Sequence, residues 1–218
     1  MSIEPVDPKA NGLALYFSPG ACSRVSIIAL EEAGAEVSLR KVALAENANK
    51  SAEYLAINPK GKVPALIVDG RVLTENVAIL TYLDSRFPYA KLLPGSTDPL
   101  VRSETLSTLA WIASGLHPMV TRIRRATRFC DLPGADKRVP ELARVDLAEQ
   151  LHVAEDRLSK HDWILGDEWS IADAYLHWIW SRATDDQFDK SPFPKLVAFA
   201  ARMDARPSVV KALEREAA

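Results

Sequence analysis

The chain has 218 residues, 48% of them hydrophobic and 26% charged, the balance of an ordinary soluble globular protein with room for one large domain or two small ones. A net charge of −2 gives no electrostatic case for binding nucleic acid or a membrane surface, and two cysteines far apart in sequence make no disulfide framework but suit a reducing cytosol. No apolar run approaches the eighteen or so residues that would span a bilayer, and no metal-ligand motif stands out.

Residues 1–12 carry two prolines and no apolar stretch, so they read as a loose arm rather than a signal peptide. Leu13 to Phe17 is a short apolar run of strand length. Ser18-Pro19-Gly20 then forces a turn, and from about Ala21 the apolar positions Val25, Ile28 and Leu30 follow a helical period. Cys22 and Ser23 therefore fall on the first turn of a helix. Unpaired N–H groups and the positive end of the helix dipole gather there, which predicts a lowered thiol pKa.

After a stop at Ala33-Gly34, Glu36 to Leu44 alternates as a second strand, and Glu46 to Ala56 reads as a polar loop with a short helical turn. Ala65 to Val68 is a third strand. Asp69-Gly70 is a strong hairpin signal, so Arg71 to Leu73 returns antiparallel. Thr74-Glu75-Asn76 opens a helix that runs to about Arg86, before Pro88. The order strand, helix, strand, hairpin, helix gives a mixed sheet with helices on it, over residues 13–88.

Residues 89–99 read as a linker, and beyond them strand signals vanish over 100–218. Leu100 to Leu116 is predicted helical, followed by a basic helix from His117 to Phe129. A long helix spans Val139 to Ser159, with Leu142, Val145, Leu151, Val153 and Leu158 as its core candidates. Ser170-Ile171-Ala172-Asp173 has capping-box spacing and starts the next helix, and Pro194 to Arg202 forms the last full one. The fold class is thus an α/β N-terminal domain followed by an all-α C-terminal domain. In the stripe Arg122, Arg124, Arg125 and Arg128, Arg124 and Arg128 are one turn apart, as are Arg122 and Arg125, so like charges crowd the helix.

These motifs, in this order, resemble the soluble glutathione transferases, whose N-terminal domain is thioredoxin-like. Ser18-Pro-Gly-Ala-Cys22-Ser23 resembles the first loop of the bacterial beta class, with its site cysteine. Asn58-Pro-Lys-Gly-Lys-Val63-Pro64 resembles the loop before the family's cis-proline. Thr74-Glu75-Asn76 resembles its Glu-Ser or Glu-Gly pair, Trp169 to Asp173 its helical capping box, and Leu116-His117 the site histidine. Phe17, Ala110 and Pro118 stand where the beta class tends to have Tyr, Asn and Lys, which makes the chain a divergent relative.

The resemblance implies glutathione as co-substrate, bound along the backbone of Val63 beside Pro64. It implies that Glu75 meets the ligand's α-amino group and that Asn76 offers side-chain and backbone donors to the γ-glutamyl carboxylate. Lys41, Lys50 or Lys62 would neutralise the glycine end. Cys22, Ser23 and His117 are the candidate catalytic residues, with Ser23 the conventional donor to a thiolate and Cys22 suited to thiol–disulfide exchange. Arg124 or Arg128 would bind a carboxylate of glutathione or of an acidic substrate. The implied activity is conjugation of glutathione to small hydrophobic electrophiles by a cytoplasmic, detoxifying homodimer. The alternatives are a non-catalytic interaction protein on the same fold and a glutathione-dependent isomerase or dehalogenase.

Overall fold

A computed structural model describes residues 12–184 and 187–217 of the chain. The expected arm, apart from Gly12, lies outside the described residues. The chain forms two compact units, residues 1–92 with 207–218, and residues 93–206. The last segment therefore groups with the α/β unit, a difference from the expected helical domain of residues 100–218.

In the first unit, β1 (Leu13–Phe17), α1 (Ser23–Glu32) and β2 (Ser38–Lys41) form a β-α-β unit in which β1 and β2 are parallel. Two 3-10 turns, Leu44–Glu46 and Ala48–Lys50, lead to α2 (Ala52–Ile57), the short helical element expected within this polar segment. Its local cause is Ser51, whose hydroxyl accepts the Tyr54 N–H at 3.2 Å and so caps the turn. β3 (Ala65–Val68) and β4 (Arg71–Thr74) form the expected hairpin, with Asp69 and Gly70 at φ of 46° and 76°. Two successive positive φ values are what a tight hairpin turn needs. The sheet order is β2-β1-β3-β4, with β3 antiparallel to β1. α3 (Asn76–Arg86) follows.

Alternation along the strands divides the core. Ala14, Tyr16, Ala65 and Ile67 share one face with Tyr54, Ile57, Val42 and Val63. Leu15 and Leu66, paired across β1 and β3, face the other way and are fully buried. The C-terminal α9 (Pro207–Ala217) has no counterpart among the expected elements, and α1 packs against both it and α3. Arg215 pairs with Glu31, Ser208 donates to Glu32, and Arg215 also reaches the Val37 carbonyl at 3.2 Å.

The second unit is all helix. α4 (Pro99–Trp111) runs through a π-helical segment, Ile112–Leu116, into α5 (His117–Arg124). The π turn fits the sequence, because Pro118 has no N–H to give to a regular helical ladder. α6 (Ala135–Lys160) is followed by α7 (Ile171–Ala183) and α8 (Pro194–Asp204). Glu155 of α6 accepts the N–H groups of Lys195 and Leu196 at 2.8 and 2.9 Å, closing the start of α8. α6 corrects the expected core: Leu151 and Leu158 are buried, but Leu142, Val145 and Val153 are exposed. The buried stripe runs through Ala143, Leu147, Leu151, Ala154 and Leu158, so small alanines share the inward face with the leucines.

Candidate functional site

The β1–α1 turn is built around Ser23. Its side chain is fully buried; the hydroxyl accepts the Ser18 N–H at 3.1 Å and donates to the Ser18 carbonyl at 3.3 Å. Ser23 is therefore committed to closing the turn. The expected part of Ser23, as the donor to a bound thiolate, would compete with these two hydrogen bonds.

Cys22 stands at the start of α1 with helical backbone angles, and its Sγ donates to the Val63 carbonyl at 3.5 Å. The helix mouth does not lower its pKa as the sequence suggests. Burial pushes the thiol up to about 12, against the opposing backbone N–H, while the Glu75 charge raises it further and Lys62 and Asn76 oppose. The residue keeps partial exposure, which tempers the burial, but the direction is a thiol protonated at neutral pH.

Asn76, the first residue of α3, is only 5% exposed. Its Nδ2 donates to the Cys22 carbonyl at 3.0 Å and its Oδ1 accepts from the Ser26 hydroxyl at 2.9 Å. The side chain is thus a strut between the first turns of α1 and α3. The backbone N–H groups of the α3 mouth remain the natural anion donors there. Glu75, just before, has φ of 74°, a region that costs an L residue about 1–3 kcal/mol. It is exposed, and its Oε1 lies 2.7 Å from Lys60 Nζ, which also donates to Thr74 Oγ1 at 3.0 Å.

The loop from Asn58 to Pro64 is held from beneath. Tyr54 Oη and Asn58 Nδ2 both donate to the Lys62 carbonyl at 2.7 Å, and Asn49 Nδ2 donates to the Gly61 carbonyl at 2.8 Å. Burial raises the Tyr54 phenol above its ordinary range, so it stays a donor. Gly61 has φ of 58°, and a Cβ there would lie 2.9 Å from both the Asn49 carbonyl oxygen and Lys50 Nζ. The Val63–Pro64 bond is cis, as the resemblance implies, and both residues are buried. Lys62 is exposed within this loop, Lys50 is exposed with its Nζ beside Gly61, and Lys41 is exposed at the end of β2.

The remaining candidates lie in the helical unit. His117 Nδ1 is 2.9 Å from Tyr175 Oη, and its ring meets Trp178 edge-on with centroids 4.6 Å apart. Arg124 ends α5, Arg125 leaves the helix with φ of −143°, and Arg128 closes a separate 3-10 turn, Ala126–Arg128. The expected one-turn stacking of Arg124 on Arg128 is therefore absent, although both are exposed. The break has a packing cause: Ile123 and Ala126 are both buried, and the turn packs on α6. Arg122 lies over the Phe129 ring at 5.4 Å.

Sequence reasoning misses Lys60, Arg24 and Glu216. The place of Lys60 in the loop that faces Glu75 across the hairpin is a signal that could find it. Glu216 has no such signal, because nothing local ties its helix to the β1–α1 turn.

Comparison with known proteins matches the N-terminal domain of glutathione S-transferases to residues 12–85 and their C-terminal domain to residues 110–207. Glutathione S-transferase GstA of Escherichia coli O157:H7 is 34% identical over 94% of this chain and 98% of its own length. The disulfide-bond oxidoreductase YfcG of Escherichia coli K12 is 30% identical over 91% of this chain and 93% of its own. Among solved structures, a glutathione transferase homologue from Sulfitobacter with bound glutathione superposes with a TM-score of 0.85 at 31% identity, covering 94% of this chain and 99% of that one. With two helix mouths tied together by Asn76 beside the Val63–Pro64 edge, and with relatives matched over nearly their whole length, the chain belongs to the glutathione S-transferase family.

Proposed function

We propose that this protein conjugates glutathione to small hydrophobic electrophiles. One observation carries the reading: Cys22, the Val63 backbone and the first turn of α3 converge within one unit, with the Cys22 sulfur 3.5 Å from the Val63 carbonyl and Asn76 joining the two helix mouths. A tripeptide thiol suits that arrangement. Its cysteinyl backbone pairs with Val63 as an added strand would. Its γ-glutamyl carboxylate suits the α3 mouth. Its ammonium suits Glu75, in place of the Lys60 ammonium that pairs there. Lys50 and Lys62 are near enough to the loop to serve the glycine carboxylate. His117, Arg124 and Arg128 belong to the helical unit, and no part of this reading rests on them.

The protonated Cys22 fits conjugation better than exchange. A neutral thiol does not repel a glutathione thiolate, and it can turn its S–H from the Val63 carbonyl toward the incoming sulfur. Calorimetry with glutathione at pH 7 and a chlorodinitrobenzene assay test the reading; no heat and no turnover would end it. Cys22→Ala should lower conjugation by only about two- to fivefold, the worth of one weak hydrogen bond.

Thiol–disulfide exchange through Cys22 is the second reading, favoured by the similarity to YfcG. Because exchange needs the thiolate, its rate should climb steadily between about pH 6 and 9, and Cys22→Ala should abolish it in a hydroxyethyl disulfide assay. Exchange that survives in Cys22→Ala removes Cys22 from that chemistry.

The homodimer is also a proposal. Leu100 and Leu106 on α4, with Leu142 and Val145 on α6, leave apolar side chains exposed in the helical unit, and covering them against a second copy is the economical outcome. The two free cysteines and the family's habit support a cytoplasmic, detoxifying role.

A further inference from the structure

Glu216 lies in the last turn of α9, far along the chain from the site, yet it is only 4% exposed. Its Oε2 accepts from the Gly20 N–H at 3.2 Å and from Arg24 Nε and Nη2 at 2.9 and 2.6 Å. Gly20 and Arg24 lie two residues before and two residues after Cys22. One carboxylate oxygen therefore grips the turn on both sides of the thiol, while Oε1 has no hydrogen-bond partner. A buried carboxylate with an unsatisfied oxygen is costly, and a hydrophobic residue would seat α9 on α1 with less penalty. The α1–α9 packing already has Arg215 on Glu31 and Ser208 on Glu32 to fix it.

We propose that Glu216 is a positioning residue for Cys22: by holding Gly20 and Arg24 it fixes the turn so that the thiol faces the Val63 carbonyl. Asn76 holds the Cys22 carbonyl from the α3 side, and Glu216 holds the chain on the other. Loss of the Glu216 grip lets the turn relax, so the sulfur leaves Val63 and meets more water. The consequence for glutathione, a raised KM with little change in kcat, rests on the transferase reading. The consequence for the thiol does not.

The test is the rate of alkylation of Cys22 by iodoacetamide without glutathione, followed peptide by peptide so that Cys130 is read separately, at fixed pH values between about 6 and 9. In Glu216→Ala, Cys22 should react about tenfold faster at pH 8, as thiolate becomes available. Glu216→Gln keeps the shape and one acceptor for Gly20 and should fall between that variant and the parent. A Glu216→Ala protein that melts earlier but alkylates Cys22 at the parent rate overturns the proposal. If Glu216→Ala does not fold, a parent-like rate in Glu216→Gln overturns it instead. Glutathione calorimetry on the parent separates a failure of this inference from a failure of the transferase reading.

Discussion

Asp173→Ala should destabilise the protein by about 3–5 kcal/mol, roughly a 10 °C fall in the apparent melting temperature for a chain of this size. The side chain is fully buried at the start of α7. Its Oδ1 accepts the Ile164 N–H at 2.8 Å, and its Oδ2 accepts the Ser170 N–H at 2.9 Å and the Ser170 hydroxyl at 3.0 Å. Alanine would strand these donors where water cannot replace the carboxylate. α7 is buried at nearly every position, so a fault at its first turn spreads through the helical unit. Asp173→Asn keeps one acceptor oxygen and should cost less. Thermal melts of the three proteins decide the matter; an alanine variant within about 1 kcal/mol of the parent would mean that the box is dispensable.

The same carboxyl gives a pH signature. Burial raises its pKa from 3.8 to about 6, with the hydrogen bonds from Ile164 and Ser170 opposing. Between those values the folded protein holds a proton that the unfolded chain has released. Stability from this group is therefore greatest near pH 4 and is lost as pH rises through about 6. The stability gap between parent and Asp173→Asn should move in the asparagine variant's favour between about pH 4 and 7, as measured by urea unfolding.

Asn76→Ala is the second large effect, and it falls on function. The variant loses both hydrogen bonds of the strut, to the Cys22 carbonyl and from the Ser26 hydroxyl. The two helix mouths are then no longer registered against each other. A displacement of about 1 Å at a site of this kind costs roughly a hundredfold in rate, so kcat/KM for glutathione should fall by about that much. The expected stability loss is smaller, about 1–3 kcal/mol for two buried hydrogen bonds. Assay well below the melting temperature separates the two effects. A folded variant with unchanged kcat/KM would show that the strut is structural only.

The features legible in the amino-acid sequence share a property: they are local. The β1 turn at Ser18-Pro19-Gly20, the Asp69-Gly70 hairpin and the Ser170–Asp173 box each depend on residues a few positions apart. The features that are not legible depend on what lies opposite in space. The helix dipole argues for an acidic Cys22, but burial outweighs it. Ser23 offers a hydroxyl in the right segment, yet Ser18 consumes it. Arg124 and Arg128 have helical spacing, but the packing of Ala126 ends the helix between them. Leu142, Val145 and Val153 are apolar enough for a core, while Ala143 and Ala154 hold the positions that face inward.

The placement of α9 bears on how the molecule is made. Translation proceeds from the N-terminus, so the residues up to Leu92 leave the ribosome well before Pro207 does. At ordinary rates of synthesis the intervening stretch takes on the order of ten seconds. Throughout that delay Gly20, Arg24, Glu31 and Glu32 wait for partners that have not yet been polymerised. The unit that begins first is thus completed last, and its Cys22 turn is sealed only after the helical unit has emerged.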